Sequence, residues 1–332
     1  MASSTVLVTG ANGFVGRAVV ARLVRDGGNV HAATRSLQSL PFAPPRVLQF
    51  PGLDIDGYID WSVALKGVST VIHCAARVHI MQDSAADPIG EFRRVNVEGS
   101  ILLASQAAEA GVRRFVFVSS VGVLGGETTS NSFRADDIPA PHTAYAQSKL
   151  EAELLLRQLS AKTGLEICIV RPPLVYGHLA PGNFGALLGA VKRGIPLPLG
   201  SVNNRRSFVA LDNLVDLLVR CADHPAAAGQ VFLVSDDDDL STAELVRRIA
   251  KISGRRAWLL PLPVGLLRGV AKLMGRGVAA QSLLGSLQLD ITKTRDLLDW
   301  APMIGMDEAL ARAIQPMHNN DRRSSDDRAS TQ

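Results

Sequence analysis

A tyrosine and a lysine in one helical segment are well suited to proton transfer. Tyr145 and Lys149 are four residues apart in the run Tyr145-Ala146-Gln147-Ser148-Lys149, so a helix would place both side chains on one face. A free tyrosine has a pKa of about 10, which is too high for proton exchange at neutral pH. A nearby ammonium group stabilises the phenolate and lowers that pKa. This spacing is common in helices, so the pair becomes specific only when further groups surround it.

Three glycines between an apolar run and a helical pattern predict a dinucleotide site. Gly10, Gly13 and Gly16 follow the strand-like run Thr5–Thr9 and open the helical pattern Phe14–Arg25. Glycines here let the chain turn tightly and let backbone N–H groups approach a pyrophosphate, and the helix N-terminus adds a favourable dipole. The strand before them and the helix after them make the triplet more specific than glycines alone.

The end of the second predicted strand favours NADP(H) over NAD. An acidic residue at this position accepts hydrogen bonds from the ribose 2′-hydroxyl of NAD, whereas a basic residue accommodates the 2′-phosphate of NADP. The run Thr34-Arg35-Ser36 contains no acid, and Arg35, helped by Ser36, could pair with a phosphate. We therefore expect NADP(H) as the cofactor, with NAD as the open alternative.

Alternating strand-like and helical segments must position these residues. We predict strands at Thr5–Thr9, 30–33, 47–50, 70–74, Arg114–Val118 and 166–170, and helices at Phe14–Arg25, 88–110 and 143–161. Repeated units of this kind predict an α/β protein with a Rossmann-type, doubly wound parallel sheet. After Arg171 prolines and glycines multiply. We therefore divide the chain into a nucleotide-binding domain that includes the catalytic residues (1–171), a smaller α/β substrate lobe (172–315) and a disordered polar tail (316–332).

Composition excludes several classes of protein. The chain has 332 residues, 47% of them hydrophobic and only 5% aromatic, with a net charge of +4. Its basic residues are scattered and not interleaved with aromatics, so no nucleic-acid partner is expected. The three cysteines are widely spaced and predict neither disulfides nor a metal site. No apolar run reaches the roughly 18 residues of a membrane span, and no signal peptide precedes the first strand, so we expect a cytoplasmic protein without membrane insertion.

The glycine segment resembles a family signature. Thr9-Gly10-Ala11-Asn12-Gly13-Phe14-Val15-Gly16 is similar to the TGxxGFxG motif of extended short-chain dehydrogenase/reductases, in the NAD-dependent epimerase/dehydratase family. The resemblance spans about residues 4–315. It implies that the cofactor is bound by a set of residues along the first half of the chain: Gly10, Asn12, Gly13, Phe14, Val15, Gly16, Arg35, Ser36, Asp54, Ile55, Cys74, Ala75, Ala76, Asn96, Lys149 and Pro172. By the same comparison, His73 is a packed structural histidine and not a catalyst.

The catalytic residues follow from the same resemblance. Ser120 lies five residues before Gly125, as the catalytic Ser or Thr does in the family's SS-x-x-VYG segment, and its distance from Tyr145 also matches. The resemblance implies that Ser120 bonds the reacting oxygen and orients it. It also implies that Lys149 bonds the nicotinamide ribose. We therefore predict that Ser120, Tyr145 and Lys149 are catalytic.

The second half resembles the substrate segments of nucleotide-sugar enzymes. Gly182-Asn183-Phe184 is similar to the segment that contacts a diphosphate, 195–200 to the strand beside uridine, and 206–209 to the segment whose arginine neutralises the diphosphate. The resemblance implies a UDP-sugar substrate bound by these residues: Val78, His79, Ser120, Gly122, Tyr145, Asn183, Leu197 and Arg206. Two features depart from the family, because Leu124 replaces its usual tyrosine and the second phosphate-binding arginine has no motif, with Arg268 and Arg276 as candidates.

Three functions follow as expectations. Val121 and Gly122 stand where dehydratases of the family carry Asp-Glu, which argues against 4,6-dehydration. The chain resembles the epimerases and reductases of bacterial polysaccharide, O-antigen and lipopolysaccharide biosynthesis, which include reductases of UDP-4-keto-6-deoxy-N-acetylhexosamines. Within that group, Arg35 favours an NADPH-dependent 4-keto reductase. The alternative is a UDP-sugar 4-epimerase, acting on UDP-GlcNAc or UDP-glucose, with tightly bound NAD. A non-catalytic NADP-sensing protein is a third. The resemblance further implies a homodimer that pairs the helices 88–110 and 143–161 across a two-fold axis.

Overall fold

Aliphatic runs form the strands, as buried parallel strands require. A computed structural model of the protein describes residues 4–36, 46–55, 58–78, 87–275 and 277–314. Its strands are β1 (Thr5–Thr9), β2 (Asn29–Thr34), β3 (Val47–Pro51), β4 (Val68–His73), β5 (Arg114–Val118), β6 (Glu166–Arg171), β7 (Leu174–Tyr176), β8 (Phe208–Ala210) and β9 (Val231–Leu233).

Seven of these strands form one parallel sheet in the order β3-β2-β1-β4-β5-β6-β9. The chain builds outward from β1 in one direction and then in the other, which is the doubly wound arrangement. The predicted fold class is therefore confirmed. The strand at the far edge of this sheet, β9, comes from the range that we expected to form the substrate lobe. The chain therefore returns to the large sheet after it has left it. The division at residue 171 stays a prediction.

Helices connect the strands and build the lobe. They are α1 (Phe14–Arg25), α2 (Ser62–Leu65), α3 (Pro88–Arg93), α4 (Gly99–Glu109), α5 (Ala144–Thr163), α6 (Gly182–Lys192), α7 (Leu211–Asp223), α8 (Thr242–Ile252), α9 (Val264–Leu273), α10 (Gly277–Leu284), α11 (Thr292–Leu298) and α12 (Met306–Ile314). Among the helices that the structure describes, none combines the length and the apolarity needed to cross a membrane.

The continuous helix that we predicted over 88–110 is interrupted. A π-helical turn, Arg94–Glu98, separates α3 from α4. The wider turn carries Asn96, whose buried side chain bonds the backbone of Arg77 and the hydroxyl of Ser148. Turns of this type are rare and occur frequently at functional sites. Apolar periodicity could not reveal the interruption because helical patterns continue on both sides of it.

Helices cover both faces of the sheet. α1 and α7 pack together on one face, through an apolar cluster that includes Val19, Leu23, Leu214 and Leu218. α2, α4 and α5 cover the other face, with a second cluster that includes Leu65, Leu103, Ala107 and Leu156. A third cluster joins α6, α8 and α12 around the small β7–β8 sheet, with Phe184, Leu187, Ile249 and Leu310 among its members. The carboxyl ends of the large sheet's strands therefore lie on a rigid frame.

Candidate active site

The glycine loop lies where the strand order changes direction. β1 stands between β2 and β4, and a crevice for ligands opens at such a point in doubly wound sheets. Gly10 has a φ of +62°, and a Cβ there would lie 2.9 Å from the backbone of Ala75 at the end of β4. A Cβ on Gly16 would collide with the carbonyl oxygen of Gly10. The loop can therefore be this tight only with glycine at both positions.

The start of α1 is open toward this crevice. Gly13 donates its N–H to the Gly10 carbonyl at 2.8 Å and is the residue from which α1 begins. No side chain caps the first turn, and no acid lies in it, so the amide groups of Phe14 and Val15 belong to an uncapped helix start. Asn12 is exposed beside them. Amide groups arranged in this way suit a pyrophosphate.

The end of β4 forms the opposite wall. Cys74, Ala75 and Ala76 follow the strand directly and are all partly buried. The amide of Ala75 contacts Thr9 Oγ1 of β1 at 3.4 Å, which holds the two strand ends together. Burial raises the pKa of the Cys74 thiol to about 12, so the thiol is neutral at physiological pH.

Ser120 lies in a short turn after β5. Its Oγ accepts the N–H of Gly122 at 3.1 Å, and the N–H of Val121 donates to the carbonyl of the buried Pro172 at 3.0 Å. A Cβ on Gly122 would lie 3.3 Å from Ser120 Oγ and 3.4 Å from Ala146 Cβ. The turn therefore abuts the first turn of α5, where Tyr145 lies.

The helix α5 positions Tyr145 and Lys149. It begins after Thr143, whose Oγ1 accepts the N–H of Ala146 at 3.1 Å. Tyr145 is half-buried, and Lys149 is almost completely buried. The Lys149 ammonium donates to the Val118 carbonyl at 2.8 Å and lies 4.4 Å from the centre of the Phe117 ring. Both contacts anchor the lysine to the end of β5.

Burial is the largest cause of the pKa shifts of Tyr145 and Lys149. It lowers the pKa of Lys149 to about 8, against which Cys74 and Glu153 act to raise it. It raises the pKa of Tyr145 to about 12. Burial is the cause of the raised tyrosine pKa, and the expectation that Lys149 lowers this pKa stays a prediction.

A buried ion pair fixes α5 to the end of β6. Glu153, four residues after Lys149, lies 2.6 Å from Arg171 Nη2 and 3.0 Å from Arg171 Nε. Ser119, which precedes Ser120, donates its hydroxyl to Glu153 at 2.6 Å. Arg171 Nη1 also donates to the Ala135 carbonyl at 3.1 Å. The pair therefore ties the tyrosine helix, the serine turn and the loop after it together.

A hydrogen-bonded chain connects β1 and β4 to the π-helical turn. Ser100 donates its hydroxyl to the carbonyl of Asn96, so the 3.0 Å contact between Ser100 Oγ and His73 Nε2 requires that His73 donates. Its Nδ1 then accepts from the Thr9 hydroxyl at 2.8 Å. Burial lowers the pKa of His73 to about 3, so the ring is neutral. The prediction of a packed, structural histidine is confirmed.

Asn96 continues this chain toward α5. Its Nδ2 donates to Ser148 Oγ at 3.0 Å, and Ser148 in turn donates to the carbonyl of Tyr145 at 2.8 Å. The Asn96 amide also pairs with the backbone of Arg77: its Oδ1 accepts the Arg77 N–H, and its Nδ2 donates to the Arg77 carbonyl. Asn96 thus acts on the backbone that carries Tyr145. The role of Asn96 in cofactor binding stays a prediction.

The end of β2 brings four predicted cofactor residues to one edge. Thr34 Oγ1 donates to the Ser36 carbonyl at 2.9 Å, and Arg35 is exposed. The Leu53 amide donates to the Thr34 carbonyl, which draws the next loop to the same edge. In that loop Asp54 Oδ1 accepts the Ile55 N–H at 2.9 Å, and Ile55 is buried against Gly99, where a Cβ would collide with it.

The predicted substrate residues of the lobe come from three separate elements. Asn183 lies in the first turn of α6, and its Nδ2 donates to Ser282 Oγ of α10 at 3.0 Å. Leu197 pairs through its backbone with the segment 258–260. Arg206 is buried, and its Nη1 donates to the Gly285 carbonyl at 2.8 Å.

Arg206 is the notable member of this group. Its Nε is buried and has no hydrogen-bond partner within the described part of the chain. Burial lowers the pKa of the guanidinium to about 10. A buried cation in this state favours a bound anion. The other candidates differ, because Val78 is exposed, His79 and Arg276 lie outside the described residues, and Arg268 is exposed and pairs with Glu127 at 3.4 Å.

The sequence analysis did not identify the residues that support the catalytic trio, by which we mean Ser120, Tyr145 and Lys149. Glu153, Ser119 and Ser148 were not predicted, although each contacts a neighbour of a catalytic candidate. One signal was available, since Glu153 follows Lys149 at the four-residue helical step and so shares its buried face. A carboxylate on that face needs a partner.

Comparison with known proteins adds to this geometry. Residues 6–235 match the model of the NAD dependent epimerase/dehydratase family. The chain is 41% identical to a UDP-glucose 4-epimerase of Vibrio cholerae over 314 residues, which is 94% of each chain. It is 26% identical over 327 residues to an N-acetyl-alpha-D-glucosaminyl-diphospho-ditrans,octacis-undecaprenol 4-epimerase of Escherichia coli O157:H7, covering 94% of this chain and 95% of that one. Among solved structures, MoeE5 in complex with UDP-glucose and NAD superimposes with a TM-score of 0.76 at 27% identity, covering 94% and 97% of the two chains.

Proposed function

Because the chain belongs to the NAD dependent epimerase/dehydratase family and is an enzyme of that family, we propose that it is a UDP-sugar 4-epimerase that uses NAD. The observation that carries this choice is the 41% identity to the Vibrio cholerae UDP-glucose 4-epimerase over 94% of both chains. The Escherichia coli relative also acts as a 4-epimerase by its name, on a sugar carried by a diphospho-lipid. The common element is inversion at C4 of a diphosphate-linked sugar.

The crevice fits a dinucleotide. Gly10 and Gly16 leave room that a Cβ would fill, and the uncapped start of α1 presents amide groups to a pyrophosphate. Asp54 and Ile55 would lie at the adenine end, and Cys74, Ala75, Ala76 and Pro172 along the remainder, as the family resemblance implies. When bound, a nicotinamide supplies reversible hydride acceptance, so that C4 of the sugar can pass through a ketone.

Tyr145 is the proposed proton carrier. It takes up the proton of the C4 hydroxyl as the ketone forms and returns a proton when the alcohol is restored with inverted configuration. Ser120 donates to the same oxygen and orients it. Because burial alone raises the pKa of Tyr145 to about 12, this role requires the charge of Lys149 to offset that burial. Lys149, held by the Val118 carbonyl, supplies that charge from within the same helix.

Arg206 is the proposed partner of the substrate diphosphate. It is a buried cation whose Nε has no hydrogen-bond partner in the described residues, and burial lowers its pKa to about 10. An anion beside it would accept a hydrogen bond from that nitrogen and stabilise the buried charge. Asn183 and Leu197 complete the substrate side as the family resemblance implies. UDP-glucose and UDP-GlcNAc are the substrates that we propose to test.

The 4-keto reductase is less well supported. It would use the same trio, and its case rested on Arg35 as a partner of the 2′-phosphate of NADPH. Arg35 is exposed at the end of β2, where its side chain is free to meet a phosphate but is not directed to one by any described contact. The family description and the NAD-bound similar structure favour NAD. A preference for NADP(H) therefore stays a prediction. A purely NADP-sensing protein is the least supported, since the whole catalytic trio is present.

One experiment separates these functions. The purified protein is denatured to identify any bound dinucleotide, and the native protein is incubated with UDP-glucose and with UDP-GlcNAc without added cofactor. We expect bound NAD and formation of the C4 epimer. Oxidation of added NADPH with UDP-4-keto-6-deoxy-GlcNAc, together with no epimer from either UDP-sugar, would replace the epimerase by the reductase. The variant Arg35→Asp tests the cofactor assignment, because a carboxylate at this position can accept from the ribose 2′-hydroxyl of NAD but repels the 2′-phosphate of NADP(H).

A further inference from the structure

One helix of the lobe exposes an apolar face. No residue of α9 with a described burial is fully buried. Leu266 and Val270 are about half exposed, Leu273 is 90% exposed, and Met274, which follows the helix, is 62% exposed. The steps of four, three and one residues place these four side chains on one side of the helix. Contiguous apolar exposure of this kind marks an interaction surface.

The segment before α9 extends the same character. Its Leu260 donates its N–H to the Leu197 carbonyl, and Leu197 donates its own N–H to the Trp258 carbonyl. This pairing holds the segment extended, which turns alternate residues to opposite sides. Leu259 packs against the core of the lobe, whereas Trp258, Leu260 and Leu262 are exposed. We call the seven exposed apolar residues the α9 surface; its members are Trp258, Leu260, Leu262, Leu266, Val270, Leu273 and Met274.

The segment of the chain that carries the α9 surface is basic. Between Glu244 and Asp290 the sequence contains eight Lys or Arg residues and no Asp or Glu, whereas the whole chain has 35 basic and 31 acidic residues. Lys251, Arg255, Arg256 and Lys272 are exposed in this stretch. The Arg256 guanidinium lies 5.0 Å from the centre of the Trp258 ring, so a cation stands directly beside an exposed aromatic.

We propose that the α9 surface binds the face of an anionic lipid bilayer. A helix with leucines on one side and cations on the other, next to a tryptophan, is typical of segments that lie in the membrane interface, and basic clusters are attracted to anionic headgroups. A second copy of this chain fits less well, because a two-fold contact would bring the same cations together, and Glu127, the acid that contacts α9, is already paired with Arg268. The protein would lie on the bilayer and not span it.

The orientation on the bilayer follows from the contacts of α9 and α10. Arg268 of α9 pairs with Glu127, and Ser282 of α10 accepts from Asn183. The surface therefore belongs to the substrate side of the molecule and not to the sheet. A bilayer bound there contacts the lobe.

Vesicle binding of the full chain tests the proposal. The protein is sedimented with vesicles of phosphatidylcholine alone and of phosphatidylcholine mixed with phosphatidylglycerol, at low and high salt. We expect binding only to the anionic vesicles, weakened by salt. Leu273→Glu should reduce the partition coefficient at least about tenfold, and Lys272→Gln about fivefold, the factor expected for one cation near an anionic surface. Val63→Glu is the matched control, because Val63 is 71% exposed on α2, and should change binding little.

Three results would overturn the proposal. The first is no binding to anionic vesicles at low salt. The second is equal loss in Leu273→Glu and Val63→Glu. The third is evidence that something other than a bilayer binds the α9 surface. A lower mass by light scattering for Leu273→Glu alone would assign the surface to a second copy of the chain. Binding to soluble polyglutamate that is equally tight and unaffected by Leu273→Glu would assign it to an acidic polymer. Circular dichroism of each variant shows whether it is folded.

Discussion

Removal of the Arg171 guanidinium tests whether the buried ion pair holds the site together. In Arg171→Met the side chain keeps its approximate length and apolar stem but loses its charge. Glu153, whose side chain is completely buried, then loses its two bonds to Arg171, and the Ala135 carbonyl loses a donor. Two cations remain near Glu153: Lys149, whose ammonium donates to the Val118 carbonyl, and Arg157, which lies 3.7 Å away and is 42% exposed. The variant therefore leaves a carboxylate buried with little compensation.

The expected loss in the free energy of unfolding is large. Breaking a buried pair by removing one partner costs about 3 to 5 kcal/mol, mostly because a charge stays buried alone. With a urea m-value near the upper end of the usual range, about 3 kcal/mol/M, the urea midpoint should fall by roughly 1 to 2 M. Glu153→Gln in the same chain removes the stranded charge and keeps an acceptor for Ser119. The double variant should therefore be more stable than Arg171→Met, with a coupling of up to about 3 kcal/mol.

Urea unfolding followed by circular dichroism measures these differences. The matched control is Arg93→Met. Arg93 of α3 forms a more exposed ion pair with Glu151, which lies in α5 like Glu153, and the N–O distance of that pair is 2.8 Å. That variant should cost at most about 1 kcal/mol. A loss below about 1 kcal/mol for Arg171→Met, or equal losses for the two arginines, would refute the view that this pair anchors α5.

Four further predictions concern the site, the fold and the assembly. Tyr145→Phe should lower turnover at least about 100-fold with cofactor affinity little changed, as measured by initial rates and by dinucleotide titration; a near-normal rate would remove Tyr145 from the mechanism. Gly10→Ala places a Cβ 2.9 Å from the Ala75 backbone at a φ of +62°, so it should weaken dinucleotide binding in the same titration, and an unchanged affinity would contradict the close passage. The pKa of His73 is about 3 in the folded protein, against an ordinary value of 6.5, so the unfolded chain binds more protons between these two pH values. The free energy of unfolding should therefore fall by up to about 5 kcal/mol as the pH drops from 6.5 toward 3. Urea unfolding across this range should show a weaker pH dependence of that free energy in His73→Gln. Leu154 and Leu155 are exposed on α5, which fits the expected two-fold pairing of helices, so light scattering should give a dimer and Leu154→Glu should lower the mass, whereas a monomeric wild type would count against it.

The sequence predicts the strands that run through the sheet because each is an aliphatic run bounded by turn residues. The helix α1 has the predicted bounds, and the glycine loop lies between β1 and α1 as expected. Ser120 and α5 also lie where the motifs indicate. These features are local, and their patterns are complete within a few residues. They follow from the spacing of apolar residues along the sequence and from the tight turn that glycine permits.

The features that were not predicted depend on distant partners. β7, β8 and β9 have three residues each, too few for a periodic signal, and β9 joins the sheet only because β6 offers its edge. The π-helical turn depends on what the Asn96 side chain contacts. The pKa values of Tyr145 and Lys149 depend on burial, and burial is a property of the packed site, so the motif alone could not reveal how burial shifts either pKa.

The most direct test of the epimerase follows the hydrogen at C4. UDP-glucose carrying deuterium at C4 is incubated with the protein in ordinary water without added cofactor, and the product is analysed by proton NMR and mass spectrometry. If one hydride is removed and returned at C4 while Tyr145 exchanges only the hydroxyl proton, UDP-galactose should form with the deuterium retained at C4. UDP-galactose in which C4 carries hydrogen from water, or no C4 epimer at all, would contradict the account.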